Sequence, residues 1–295
     1  MMFEMNPNVA EAYPYEHFQY HYLERYYHLT MAMRHPAIKA SLERRTSSYD
    51  QAAISLFSIE PARSMADKLL FFFHGMDGDC ADVVVARDLV ERGNAKMVGV
   101  GGRGPGWLSD GFLGDAEQLI RECSSGWDGF YLSGVSMGGT QALSLASLLP
   151  DDMRMRIKGV LALIPGANVP AALERSSKKR VRDTIRASVH GDSAKARERS
   201  PHALIERLEA GIPFVITYNK NDSILLWEET EKYIDALSGR NPVSVFGDGV
   251  EHAFSHRNVD FVHVFRQMGV LSSVLKALPM KREVMRSVAG HDKDG

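Results

Sequence analysis

The chain has 295 residues, 44% of them hydrophobic and 24% charged, an ordinary globular composition long enough to bury one large core or two smaller ones. A formal net charge of -2 gives no overall field that would draw in nucleic acid or an anionic membrane, and nowhere do about 18 apolar residues run together. Two cysteines, Cys80 and Cys123, lie outside any C-x-x-C pair, and the first residues lack a basic, apolar leader, so the expectation is a cytoplasmic protein without a zinc or redox centre.

Residues 1–45 open with Tyr13, Tyr15, Phe18, Tyr20, Tyr22, Tyr26 and Tyr27 and read as a partly helical, aromatic-rich extension. Packing against the main domain is its plain use; a homo-oligomer contact or a flap over a pocket is the alternative. His17, His21 and His28 share one face of this extension, but no H-E-x-x-H carboxylate accompanies them, and a solvated helix face explains the spacing better than a metal site.

From residue 50 onward, short apolar runs alternate with amphipathic stretches. Strands are predicted at 53–60, 68–74, 95–101, 129–134, 158–165, 213–219 and 242–248, and helices at 82–91, 115–123, 137–149, 228–237 and 259–278. The alternation predicts an α/β fold, a mostly parallel central sheet with helices on both faces, over residues 46–280. The tail from 281 reads as disordered. Between the fifth and sixth strands, residues 168–199 hold nine Lys or Arg against four acids. That is too long and too charged for a simple crossover. It predicts a small helical cap, either a merely solvated excursion or a basic surface for an anionic substrate or an acidic carrier.

The stretch "YLSGVSMGGTQ" sets Ser136 between Gly134 and Gly138, after a strand and before a helix. A G-x-S-x-G turns up by chance in roughly one chain of this length in ten, so the context decides. Strand, serine and helix in that order are what a nucleophile elbow requires, with glycines where two backbones must approach closely. The Met137 N–H at the helix start would face the serine's space. After the most apolar strand, "LLFFFHGMDGD" offers the Met76 N–H as a second oxyanion donor, or else a purely structural turn.

Ligands in parallel sheets meet the carboxyl ends of strands. That selects Asp222 after the strand at 213–219 and His252 after the strand at 242–248, in the chain order serine, acid, histidine. Asp248 and Glu251 lie near His252 and remain alternatives to Asp222. The run "GVGGRG" at 99–104 satisfies G-x-G-x-x-G, but Pro105-Gly106-Trp107 follow and no helix starts against it, so a dinucleotide site is not expected.

"HGMDGD", "GVSMGG", "SPHALIERLEAGIPFVITYNKNDSIL" and "VEHAF", in that order, resemble the alpha/beta-hydrolase superfamily over roughly residues 50–280. The resemblance implies Ser136 as nucleophile, His252 as base, Asp222 as its acid, and Met76 and Met137 as oxyanion donors. It also places the loop after residue 101 beside the pocket, where Arg103 or Trp107 would touch substrate unless they only build the loop. The sequence departs from the pattern in having "YNKND" and "EH" where many members carry a glycine. The implied activity is hydrolysis of an ester or thioester with no metal or cofactor, on a small-molecule or carrier-bound acyl substrate. An acyltransferase with the same residues, or a ligand-binding receptor with an idle pocket, are the competing readings.

Overall fold

The computed structural model describes residues 36–248 except 77, 87–89, 91–92, 102 and 221. The aromatic stretch through Tyr27, the helix expected at 259–278 and the tail lie outside the described residues, as do His17, His21, His28, Glu251 and His252.

Among the described residues, eight strands form one sheet: β1 (Ile38–Thr46), β2 (Ala53–Pro61), β3 (Lys68–Phe73), β4 (Ala95–Gly101), β5 (Phe130–Val135), β6 (Ile157–Leu163), β7 (Phe214–Asn219) and β8 (Val243–Asp248). Their spatial order is β1-β2-β4-β3-β5-β6-β7-β8. Only the β1–β2 and β2–β4 pairings are antiparallel. The others, from β4–β3 across to β8, are parallel.

The strand at the centre shows why. Every residue of "KLLFFF" in β3 is buried, as a strand covered on both faces requires. Its side chains divide by alternation. Leu69, Phe71 and Phe73 enter the larger core, where Phe71 meets Phe130 and Phe73 meets Phe112, each edge to face at 5.6 Å. Leu70 and Phe72 enter a second core on the other face with Val83, Met97 and Tyr131. The larger core is closed by α1 (Asp110–Cys123), α2 (Met137–Leu148) and α7 (Trp227–Ser238), through Phe112, Leu119, Leu143, Leu145, Tyr233 and Leu237. On the other face, Cys80, Val83 and Val84 of a 3-10 helix (Cys80–Ala86) pack against the sheet.

Two boundaries differ from the sequence expectation. Residues 38–46 are not part of a helical extension; they form the edge strand β1, paired with β2 through a turn in which Gln51 has φ 65. "IKASLERRT" conceals this, because its apolar residues Ile38 and Leu42 stand at helical spacing and its charges suit an edge strand left open to solvent. The helix after β4 begins five residues earlier than predicted, at Asp110. The Ser109 side chain accepts there from the Phe112 N–H, a capping signal in the sequence.

The insertion at 168–199 folds as three short helices, α4 (Val169–Arg175), α5 (Lys179–Ser188) and α6 (Ser193–Glu198), with α3 (Asp151–Arg154) a single turn after Pro150. Among the described residues no helix is long and apolar enough to cross a membrane.

Candidate active site

One residue separates β5 from α2, and that residue is Ser136. It is half-buried, with φ 54 and ψ -115, a conformation that a non-glycine residue adopts only when its surroundings enforce it. The enforcement is steric. A Cβ on Gly138 would stand 1.9 Å from the Phe73 carbonyl oxygen, and one on Gly134 would stand 2.3 Å from the Gly138 carbonyl oxygen. The end of β3, the end of β5 and the first turn of α2 therefore touch backbone to backbone. Hydrogen bonds complete the hold. The Ser136 N–H donates to the Leu163 carbonyl at 2.8 Å, and the Ser136 carbonyl accepts from the Thr140 N–H at 3.0 Å. The Thr140 hydroxyl in turn accepts from the Gly166 N–H at 2.9 Å. The serine side chain makes no capping bond to α2, so its hydroxyl is not used in closing the helix.

The strained backbone is not confined to the serine. Trp107 (φ 38), Ile164 (φ 42) and Leu226 (φ 61) also take the left-handed region, in the segments that follow β4, β6 and β7. Four successive loops at the carboxyl edge of the sheet thus carry a residue that costs on the order of 1–3 kcal/mol to hold. Of the seven non-glycine residues with positive φ among the described residues, four lie in these loops.

The loop after β3 lies beside the serine. A Cβ on Gly75 would come within 4.0 Å of the Ser136 Cβ, and His74, buried in the same turn, sets Nδ1 2.7 Å from the Gly75 carbonyl oxygen. Met76 follows, half-buried against the larger core. Met137 is fully buried as the first residue of α2, where the backbone N–H groups have no acceptor within the helix.

Asp222 is buried in the loop after β7. Its Oδ1 accepts from the Ile224 N–H at 2.8 Å and the Leu225 N–H at 2.9 Å, which fixes the plane of the carboxylate. Asp248 closes β8, in register with Asn219 of β7.

Arg103 and Trp107 have uses other than the expected substrate contact. The Arg103 guanidinium lies between two carboxylates, with Nη1 2.6 Å from Asp50 Oδ2 and Nη2 2.9 Å from Asp115 Oδ1, and Nη2 also donates to the Ser47 hydroxyl at 3.1 Å. Hydrogen bonds to Asp115 and then to Asp50 push its pKa above the usual arginine value. It ties the β1–β2 turn to α1. Trp107 is only 2% exposed, so its ring presents no face to a ligand. Its indole N–H donates to the Thr184 hydroxyl at 2.9 Å, and its carbonyl accepts from Gln141 Nε2 at 2.6 Å.

The basic residues of the insertion are largely paired as well. Arg175 meets Glu228 and Glu229, Lys179 and Arg186 meet Asp183, and Lys195 and Arg199 meet Asp110. Arg182 donates to the Ser176 carbonyl. The charge excess seen in the sequence therefore serves in good part to tie the helices of the insertion to one another and to α1 and α7. The insertion also reaches two site loops. Thr184 of α5 touches Met76 Sδ at 3.3 Å, and the Ser177 hydroxyl lies 3.0 Å from that of Ser223, next to Asp222.

No family model matches the chain, and no curated protein matches it in sequence. Its fold is nevertheless shared with solved structures. A hyperthermophilic esterase from the archaeon Pyrobaculum calidifontis superposes with a TM-score of 0.64 at 18% identity, over 87% of this chain and 92% of that one. Esterase B from Lactobacillus rhamnosis gives 0.64 at 17% identity, over 86% and 91%. An S-formylglutathione hydrolase from Agrobacterium tumefaciens gives 0.62 at 16% identity, over 82% and 96%. The chain has the alpha/beta-hydrolase fold.

Proposed function

We propose that the protein is a serine hydrolase that cleaves carboxylic esters or thioesters through an acyl-enzyme on Ser136. The observation that carries this reading is the enforced φ of 54 at Ser136, between β5 and α2, with the hydroxyl left out of helix capping. A serine at a plain turn needs neither the strain nor the two excluded Cβ atoms beneath it.

In the proposed reaction, Ser136 Oγ attacks the substrate carbonyl while the His252 imidazole takes its proton. The Met76 and Met137 N–H groups receive the charge that develops on the carbonyl oxygen. His252 then returns the proton to the departing alcohol or thiol, and water, activated by the same imidazole, releases the acid. Asp222 holds the imidazole in the required tautomer. The two backbone donors that fix its own carboxylate support that assignment over Asp248. Cys80 and Cys123 are both free thiols, in keeping with a proposed cytoplasmic address. The pairing of the basic residues of 168–199 with acids of the insertion, α1 and α7 speaks for a small-molecule acyl substrate over an acidic carrier.

A fluorophosphonate probe tests the reading. Wild type is expected to be labelled and Ser136→Ala unlabelled, with hydrolysis of p-nitrophenyl butyrate and of a short acyl thioester lost in the same variant. A folded wild type that takes no label, or a Ser136→Ala protein labelled as strongly, overturns it.

A further inference from the structure

Thr184 stands 77 residues from Trp107 and 108 from Met76 in the chain, yet its hydroxyl touches both. A hydroxyl has two lone pairs and one proton. One lone pair takes the indole N–H of Trp107 at 2.9 Å. The proton has three acceptors in reach, the Arg180 carbonyl at 2.9 Å, the Val181 carbonyl at 3.0 Å and Met76 Sδ at 3.3 Å. The thioether is the weakest of these. The Trp107 bond is the one whose loss is costly, because a buried indole N–H without an acceptor keeps its full desolvation penalty.

These contacts lead to the Met76 side of the oxyanion site. The Thr184 hydroxyl, fixed by its bond from Trp107, stands against Met76 Sδ at the end of the loop after β3. Trp107 is itself held from two elements, since its carbonyl accepts from Gln141 of α2, and its φ of 38 is a strained conformation that such contacts must maintain. On the insertion side, Val181 and Ile185 bury α5 in the larger core and keep Thr184 in place.

We propose that Thr184 is a positioning residue for the oxyanion hole, through which the inserted helix α5 sets the placement of the Met76 N–H group. The inference rests on the serine-hydrolase reading and deepens it. The insertion becomes part of the catalytic apparatus by holding the loop that carries this backbone donor, a role separate from any contact it makes with substrate.

The test compares Thr184→Val, which keeps the shape and removes the hydroxyl, with Thr184→Ser, which restores it. Displacing this oxyanion donor by a fraction of an ångström is expected to lower kcat on p-nitrophenyl butyrate by roughly tenfold in Thr184→Val. Affinity for phenylboronic acid, whose tetrahedral adduct places an oxygen in the hole, should fall by a similar factor, while KM stays within about twofold. Thr184→Ser should recover both quantities. Unchanged kcat and boronate affinity in Thr184→Val, a loss confined to KM, or a Thr184→Ser protein as impaired as Thr184→Val overturns the proposal. Should Thr184→Val not fold, Trp107→Phe removes the indole donor and is held to the same two losses. The underlying reading fails separately, by absence of fluorophosphonate labelling in the wild type.

Discussion

The junction around Ser136 and the insertion at 168–199 are held by opposite means. At the junction, carbonyl oxygens of β3 and α2 occupy the space that any Cβ on Gly134 or Gly138 would need. Position is set there by contact between main chains, which has almost no compliance. In the insertion, short helices are fastened by mostly small apolar side chains in the larger core, Val169, Ala172, Val181, Ile185, Val189 and Ala196, by ion pairs of mixed exposure, and by single hydroxyl contacts at Thr184 and Ser177. The nucleophile's placement should therefore answer to substitution in an all-or-none way, and the insertion's grip in small graded steps.

The sharpest break of this comparison acts on chemistry alone. Ser136→Ala is expected to lower kcat/KM on p-nitrophenyl butyrate by about 10⁴-fold or more with an unaltered melting temperature, read by steady-state kinetics and calorimetry. Asp222→Asn keeps an oxygen for the Ile224 and Leu225 N–H groups and removes the charge. A fall of about 10³–10⁴-fold in kcat with a native-like circular dichroism spectrum is expected, and a loss below tenfold would transfer the acid's role to Asp248 or Glu251.

Next in size is Gly138→Ala. Its methyl group meets the Phe73 carbonyl, so β3 or α2 must shift; about 3 kcal/mol of stability should be lost in urea unfolding, and the ester hydrolysis with it. A well-tolerated alanine would show the junction to be softer than its geometry states.

The insertion's contacts should respond more gently. Burial raises the pKa of Glu229, but hydrogen bonds from Lys232, Asn168 and Arg175 together outweigh it and lower the carboxyl to about 2. A depressed carboxyl contributes stability above its unfolded value, near 4.3, and that contribution is lost as pH falls toward 2. The melting temperature of Glu229→Gln should therefore lie below that of wild type at pH 7, by the equivalent of about 1 kcal/mol, and the gap should narrow steadily between pH 5 and pH 2. The smallest effect belongs to Lys179→Ala, which breaks an exposed pair with Asp183. No resolvable change in melting temperature is expected, since the pair is solvent-exposed and lies within α5, and a clear fall would mean that this surface pair matters more than its exposure allows.

Much of this architecture is readable in the chain because its causes are local. Seven strands announce themselves as short apolar runs, and β3 stands out since a strand buried on both faces has no reason to alternate. The elbow is legible for the same reason: Gly134, Ser136 and Gly138 record a steric requirement at fixed spacing. Strand β1 escaped because Ile38 and Leu42 imitate a helix, and an edge strand needs few apolar residues to mark it. Arg103 looked available for substrate because nothing in a loop sequence discloses that Asp50 and Asp115, from two other elements, converge on its guanidinium.

The amino-acid sequence by itself determined the order of the elements and the bend that presents Ser136, since both follow from side-chain periodicity and from where a Cβ is absent. Only the tertiary structure decided the fate of the charges at 168–199, the burial of Trp107 and the contact of Thr184 with Met76. Those outcomes depend on groups brought together from scores of residues apart, and the free energy of such a meeting leaves no local pattern in either partner.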